Sequence, residues 1–355
     1  MHPIGPNAYR LRGWQEDETD RSQTLRRGPS TKRDDAAETY ATTTAGSFLR
    51  FVRFVRLVRF ARFGRMLTLR TALYVPGDRA DRIGKALASA ADCVIVDLED
   101  AVAATQKRRA REVAVESLAA LDGKRSSCPT VAVRVNALST GLLNDDIAAL
   151  AEVWSQIGFI VLPMVPNAEA VREVAAILES VDPHAASDAV GPRLVPLIES
   201  AQGVLHSPAI AAAHARVHTL ALGPADLSNE LGISPSPDGV ELLHVRSQLV
   251  LAAAAAGLAR PLDGPWLNVA DADGLRRSAE AGKVLGFGGK QVIHPAQIDV
   301  VSRTYAPTEA QLLWARTVDA AFAEAEARGV SSISLPDGTF VDYPVAFRAR
   351  AILAE

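Results

Sequence analysis

Arg193-Leu194-Val195-Pro196-Leu197-Ile198-Glu199 is a short apolar run that ends in a carboxylate, and Thr219-Leu220-Ala221-Leu222-Gly223-Pro224-Ala225-Asp226 repeats the pattern one strand–helix unit later. Apolar runs of this length, with no alternation, read as strands covered on both faces, the mark of a parallel sheet flanked by helices. Working outward from 194–198 and 219–222, similar runs lie at 72–75, 93–98, 131–135, 159–165, 261–267 and 284–293, which makes eight. Segments with helical spacing fall between them, at 81–90, 107–121, 144–156, 168–178, 240–256 and 270–281. Eight such repeats predict an α/β fold, a (β/α)8 TIM barrel, in preference to an open doubly wound sheet. No GxGxxG follows the first strand, so a dinucleotide-binding fold has no support.

In a barrel, Glu199 and Asp226 stand at the carboxyl ends of the strands, where catalytic groups collect. A hard divalent cation suits two such carboxylates. Mg²⁺ takes oxygen ligands, keeps one or two protein carboxylates, and leaves its other positions to water and substrate. The plain structural alternative makes Glu199 a neighbour of a helix N-cap and Asp226 a loop residue.

The chain has 355 residues, is 48% hydrophobic and carries a net charge of −3, enough for one barrel with a small appendage. Two cysteines, Cys93 and Cys128, build no disulfide framework and fit a reducing cytoplasm. No stretch of about 18 uninterrupted apolar residues predicts a membrane span.

Residues 1–65 differ from the rest. They hold 13 Lys/Arg against 7 Asp/Glu, a net +6, while the remainder sums to −9. Arginines recur there at every third position from Arg50 to Arg65. Neither a helix nor a strand gathers that spacing onto one face. The segment reads as a low-complexity extension, disordered or preceding a natural start at Met66. The alternative, a basic arm for anionic membrane or nucleic acid, lacks the apolar face of an interfacial helix, so neither partner is expected.

The barrel is expected over 66–306. Beyond it lie a helix at 308–328, a hairpin at 331–341 around Pro336-Asp337-Gly338, and a last helix at 343–353. This appendage, 307–355, is expected to be too small for a core of its own and to pack on the barrel or a neighbour.

Several segments in register resemble the HpcH/HpaI aldolase/citrate lyase β-subunit family, in its CitE-like acyl-CoA lyase branch. They are Tyr74-Val75-Pro76-Gly77-Asp78-Arg79, Asp97-Leu98-Glu99-Asp100-Ala101-Val102, Val133-Arg134-Val135-Asn136, Leu197-Ile198-Glu199-Ser200-Ala201 and Gly223-Pro224-Ala225-Asp226-Leu227. Gly286-Phe287-Gly288-Gly289-Lys290-Gln291-Val292-Ile293-His294-Pro295, Asp337-Gly338 and Val341-Asp342-Tyr343-Pro344 follow in the same order.

The resemblance implies a Mg²⁺ enzyme, with Mn²⁺ as a possible substitute, that makes or breaks a C–C bond beside a CoA thioester. Glu199 and Asp226 would hold the metal, and the backbone of Gly223, Pro224 and Ala225 would lie under the carboxylate of a 2-oxo acid. Arg134 has two readings, an ion pair with Asp97 or Glu99 and stabilisation of the thioester enolate, and the resemblance favours the second. Asp97 and Glu99 would orient Arg134 or a metal-bound water. Arg79 and Lys85, bracketing the start of the first helix, would approach the CoA diphosphate.

Asp342 would be an acid/base delivered by the tail of an adjacent subunit, or else the cap of the last helix. A shared site implies a homo-oligomer, a trimer or hexamer in the family. His294 is expected to serve a structural turn. One departure stands out: relatives often read Leu-Pro-Lys-Val-Glu where this chain has Leu162-Pro163-Met164-Val165-Pro166-Asn167. The missing lysine marks a different substrate or a weakened enzyme.

The expected function is therefore a cytoplasmic Mg²⁺-dependent lyase. It would cut a 3-hydroxy-dicarboxylyl-CoA of the citramalyl-CoA or malyl-CoA type into acetyl-CoA and a 2-oxo acid. Rival readings are a citrate lyase β-subunit acting on a citryl thioester of an acyl carrier protein, and a silent homologue that binds CoA esters. Thioesterase activity on malyl-CoA is a further possibility.

Overall fold

A computed structural model describes residues 69–121, 128–182 and 191–354. The expectations for 1–65, including a start at Met66, lie outside the described residues. In chain order the elements are β1 (Thr71–Pro76), α1 (Ala80–Leu87), β2 (Cys93–Asp97), α2 (Lys107–Ala119), β3 (Thr130–Arg134), α3 (Leu143–Leu150), β4 (Phe159–Leu162) and α4 (Ala168–Val181). Then come β5 (Arg193–Ile198), α5 (Ala201–Ala211), β6 (Ala221–Leu222), α6 (Pro224–Leu231), α7 (Leu243–Ala255), β7 (Leu262–Asp263), α8 (Ala272–Leu285), β8 (Gly289–Val292) and α9 (Ile298–Tyr305). The chain ends with α10 (Glu309–Ala327), β9 (Ser332–Ser334), β10 (Phe340–Asp342) and α11 (Tyr343–Leu353).

Strands β1 to β8 form a closed parallel barrel, each paired with the next and β8 with β1 through Thr71↔Lys290, Ala72↔Gln291 and Leu73↔Val292. Alternation along each strand sorts its side chains into two layers. Cys93 and Ile95 join Ala72, Phe159, Val161, Val195 and Leu197 inside the barrel. Val94 and Val96 face the helices with Leu73, Val75, Leu194 and Ile198. Gly289 closes the ring, because a Cβ there would strike the backbone oxygens of Leu69 and Arg70.

Where the structure departs from the sequence reading, a helix start or stop is the cause. The eighth run, 284–293, loses its first residues to α8, which ends at Gly286 in the left-handed conformation (φ 109°). The seventh shrinks to Leu262–Asp263, followed by Gly264-Pro265, and the sixth to Ala221–Leu222. Asp226 consequently does not close a strand. Pro224 sits at the first helical position and Asp226 lies in the first turn of α6. The helix expected at 144–156 divides into α3 and a 3₁₀ stretch, Ala151–Gln156, with a non-helical Val153. Helices α5, α6 and α9 were not read from the pattern.

The appendage corrects the expectation that it lacks a core. Ala315, Val318, Phe322, Leu335, Val341, Ala346 and Ala349 form a separate buried cluster between α10, the β9–β10 hairpin and α11. Thr308 and Gln311 close a capping box at the start of α10. No helix among the described residues is long and apolar enough to cross a membrane.

Candidate active site

Asp97 and Arg134 are the last residues of β2 and β3 and stand opposite each other in register. Their side chains meet as a two-pronged pair, Nε donating to Oδ1 at 2.8 Å and Nη2 to Oδ2 at 2.6 Å. Asp97 is fixed further, because it accepts from the backbone N–H of Glu99 (2.9 Å) and of Ala101 (3.1 Å). The third guanidinium nitrogen, Nη1, reaches 2.8 Å from Glu99 Oε2 and 3.6 Å from Asp100 Oδ2. The Arg134 guanidinium also lies 5.0 Å from the centroid of the Tyr74 ring. Burial opposes the charge on Arg134, but the hydrogen-bonded Asp97 outweighs it and pushes the pKa up. The ion-pair reading of Arg134 holds, with Asp97 and Glu99 both taking part.

Glu199 follows β5 and is 3% exposed. Its Oε1 accepts from the backbone N–H of Met164 at 2.6 Å. Met164 has φ 50°, the one positive value at a non-glycine among the described residues. That conformation costs on the order of 1–2 kcal/mol, and it is what directs the amide at the carboxylate. The Met164 side chain is 45% exposed. Burial pushes the Glu199 pKa up to about 8, the Met164 amide pulls it down, and the charges of Glu99 and Asp226 raise it again. Glu99 is raised to about 7, first by burial, with Arg134 opposing and Asp100 and Asp97 adding to the rise.

Two observations test whether these residues suit a divalent cation. Glu199 has no ion-pair partner among the described residues, and a buried carboxylate without a counter-charge is unfavourable as an anion. Glu99 Oε2, also buried, is by contrast already ion-paired with Arg134 Nη1 at 2.8 Å. Asp226 is exposed in the first turn of α6, and its charge is felt at Glu199. Among the described residues no three metal-ligating side chains form a closed cage. The carboxylate oxygens of Glu199 and Asp226 are hard donors of the kind that an ion such as Mg²⁺ takes while leaving its other positions to water and substrate. Gly223 allows the approach, because a Cβ there would collide with the Glu199 carboxylate.

Tyr74 and Gln291 also belong to this region, although the sequence reading gave them no role. Tyr74 O–H donates to Gln291 Oε1 at 2.8 Å, and Gln291 Nε2 donates to Leu222 O (2.8 Å) and Asp263 O (3.2 Å). One side chain thus ties β8 to the ends of β6 and β7, immediately before Gly223. Burial raises the Tyr74 pKa and keeps it a donor. Both residues lie in quoted motifs, so the available signal was a polar residue amid buried strand positions.

Other expected site residues are placed differently. Arg79 is at the N-cap of α1 and contacts Asp81 at 3.4 Å, while Lys85 is in the last turn. The two cations mark opposite ends of a two-turn helix and do not jointly bracket its start. Asp342 caps α11, its Oδ1 accepting from Val345 N–H at 3.2 Å. Among the described residues no hydrogen bond or ion pair joins it to Glu199, Asp226 or Arg134. His294 caps the 3₁₀ turn Pro295–Gln297 through Ala296 N–H at 3.2 Å, a structural role as expected.

The family model described as HpcH/HpaI aldolase/citrate lyase matches residues 70–295. Citrate lyase subunit beta of Leuconostoc mesenteroides subsp. cremoris is 35% identical over 80% of this chain and 92% of that protein. A (3S)-malyl-CoA thioesterase of Cereibacter sphaeroides is 36% identical over 81% of this chain and 94% of its own length. Among solved structures, the CitE protein of Mycobacterium tuberculosis in complex with magnesium, acetoacetate and coenzyme A has a TM-score of 0.63 at 33% identity. It covers 81% of this chain and 97% of its own.

Proposed function

The chain belongs to the HpcH/HpaI aldolase/citrate lyase family, a family of carbon–carbon lyases, and from that premise we propose a Mg²⁺-dependent lyase of the malyl-CoA or citramalyl-CoA type. Its products would be acetyl-CoA and a 2-oxo acid. The observation that carries this reading is the buried Glu199 carboxylate, which has no ion-pair partner among the described residues and is influenced by Asp226 and Arg134. The magnesium in the CitE complex of Mycobacterium tuberculosis, together with its acetoacetate and coenzyme A, supports the same chemistry.

Glu199 and Asp226 would hold the metal, and the backbone at Gly223, Pro224 and Ala225 would receive the carboxylate of the 2-oxo acid. Mg²⁺ bound there supplies Lewis-acid polarisation of the oxygen on the carbon being cut. Cleavage breaks the bond between the hydroxyl-bearing carbon and the carbon next to the thioester. The hydroxyl gives up its proton to solvent water and becomes the carbonyl, and the electron pair of the broken bond moves into the thioester as an enolate. Arg134, locked by Asp97, would hold the enolate oxygen. Asp342 from the C-terminal segment of a neighbouring subunit would protonate the enolate carbon, giving acetyl-CoA. Arg79 and Lys85, both exposed, would contact the CoA phosphates.

The name of the Leuconostoc protein favours a second reading, release of oxaloacetate from a citryl thioester on an acyl carrier protein. A coupled assay for acetyl-CoA release from malyl-CoA and citramalyl-CoA separates the two. We expect turnover with Mg²⁺, none with EDTA, and none in Asp226→Ala. Turnover that persists with EDTA, or activity only on the carrier-linked citryl ester, overturns the CoA-lyase reading.

A further inference from the structure

A cavity of about 490 Å³ lies between the ends of β6 and β7, the loop at 232–239 and α8. Glu199, Asp226 and Arg134 do not line it, and it shares the Leu222, Pro224 and Ala225 wall at the end of β6 with the active site described above. Its floor is ionic. Asp263 and Lys290 face each other in the β7–β8 register, both buried, and Arg246 reaches in from α7. Both cations share one oxygen, Asp263 Oδ2, at 3.0 Å from Lys290 Nζ and 2.5 Å from Arg246 Nη2. The other oxygen, Oδ1, accepts from Gly264 N–H at 3.0 Å.

Two buried cations thus face one buried carboxylate. On the rim, Arg277 and Asp271 offset each other and leave that excess in place. Lys290 Nζ makes a single hydrogen bond, and Arg246 Nε is buried with no partner. Two buried cations against one carboxylate leave a positive excess that an anion in the cavity would balance. The walls are apolar, with Leu222, Pro235, Pro237, Pro265 and the Trp266 ring, whose buried Nε1–H is also unpartnered.

We propose that this cavity is a second binding site, for a monocarboxylate with an apolar body. The carboxylate would sit on Lys290 and Arg246, and the body against Trp266 and the prolines. One excess charge and apolar walls fit this ligand better than a phosphate, which brings more charge and no apolar surface. The downward pull of burial on the Lys290 pKa agrees with incomplete compensation by Asp263.

Calorimetric titration of the full-length chain with 3-phenylpropanoate, in EDTA so that no metal site competes, tests the proposal. Saturable binding is expected, with the neutral amide of the same acid about tenfold weaker or worse. Two plugs from opposite walls, Ser278→Phe on α8 and Pro237→Trp in the loop, are each expected to abolish binding. Glu199→Gln is expected to retain it. Melting curves identify any plug that fails to fold, and the other then carries the test. Absence of saturable binding, equal affinity for the amide, or undiminished binding by folded plug variants overturns the proposal.

Discussion

Arg134 sits where β3 ends, and its pairing was legible because the acidic Asp97-Leu98-Glu99-Asp100 run follows the neighbouring strand. Two prongs on Asp97 fix the guanidinium plane, which lysine cannot reproduce. Arg134→Lys is therefore expected to lower kcat by about 10²–10³ in protein that circular dichroism shows to be folded; equal kcat in a steady-state assay would contradict the role assigned to it. Met164 could not be read this way. Its contribution is a backbone amide in a left-handed conformation, which depends on tertiary structure and leaves no trace in residue type. A β-branched residue tolerates that φ poorly, so Met164→Ile is expected to destabilise the protein by about 1–2 kcal/mol, read from chemical denaturation. Glu199 gives a pH signature with a definite sign. With its folded pKa raised to about 8, the metal-free native state holds a proton that the unfolded chain releases, so stability falls as pH rises from about 4.5 to about 8. Glu199→Gln should flatten that part of the profile, and added Mg²⁺ should restore stability at the alkaline end, both measurable by thermal melts.

At the scale of elements, the barrel was legible because strands buried on both faces read as uninterrupted apolar runs, and 93–98 and 194–198 carry little else. Short strands were not. Ala221–Leu222 and Leu262–Asp263 hold too few residues to show a period, and only Pro224, Gly264-Pro265 and Gly286 mark where neighbouring elements begin or end. Asp226 was found by its residue type but assigned to the wrong element, since the helix starts two residues earlier than the apolar run implies. The turn between β6 and α6 has its own requirement. Gly223 presses against the Glu199 carboxylate with no room for a side chain. Gly223→Ala is expected to weaken Mg²⁺ binding by about tenfold or more while the barrel still folds; calorimetry with circular dichroism as the fold control reads both.

For the whole molecule, the appendage was placed correctly as helix, hairpin and helix, yet its own buried cluster was missed, because seven buried apolar side chains spread over 315–349 do not stand out in a linear pattern. Asp342 keeps both of its sequence-level meanings in view. As a cap, its loss in Asp342→Ala should cost about 1 kcal/mol. As the proton donor to a neighbour's site, it makes a stronger claim: inactive Asp342→Ala and inactive Glu199→Gln, when co-assembled, should regain activity, because some sites then draw both intact residues from different chains. The metal site is the centre of the proposed mechanism, and the most direct measurement is anomalous diffraction from crystals grown with Mn²⁺ and pyruvate. We expect one strong peak held by Glu199 and Asp226, with the pyruvate carboxylate over Gly223 and Ala225. A protein crystallised under those conditions with no peak there, or with its metal bound by other residues, would contradict the account of this site.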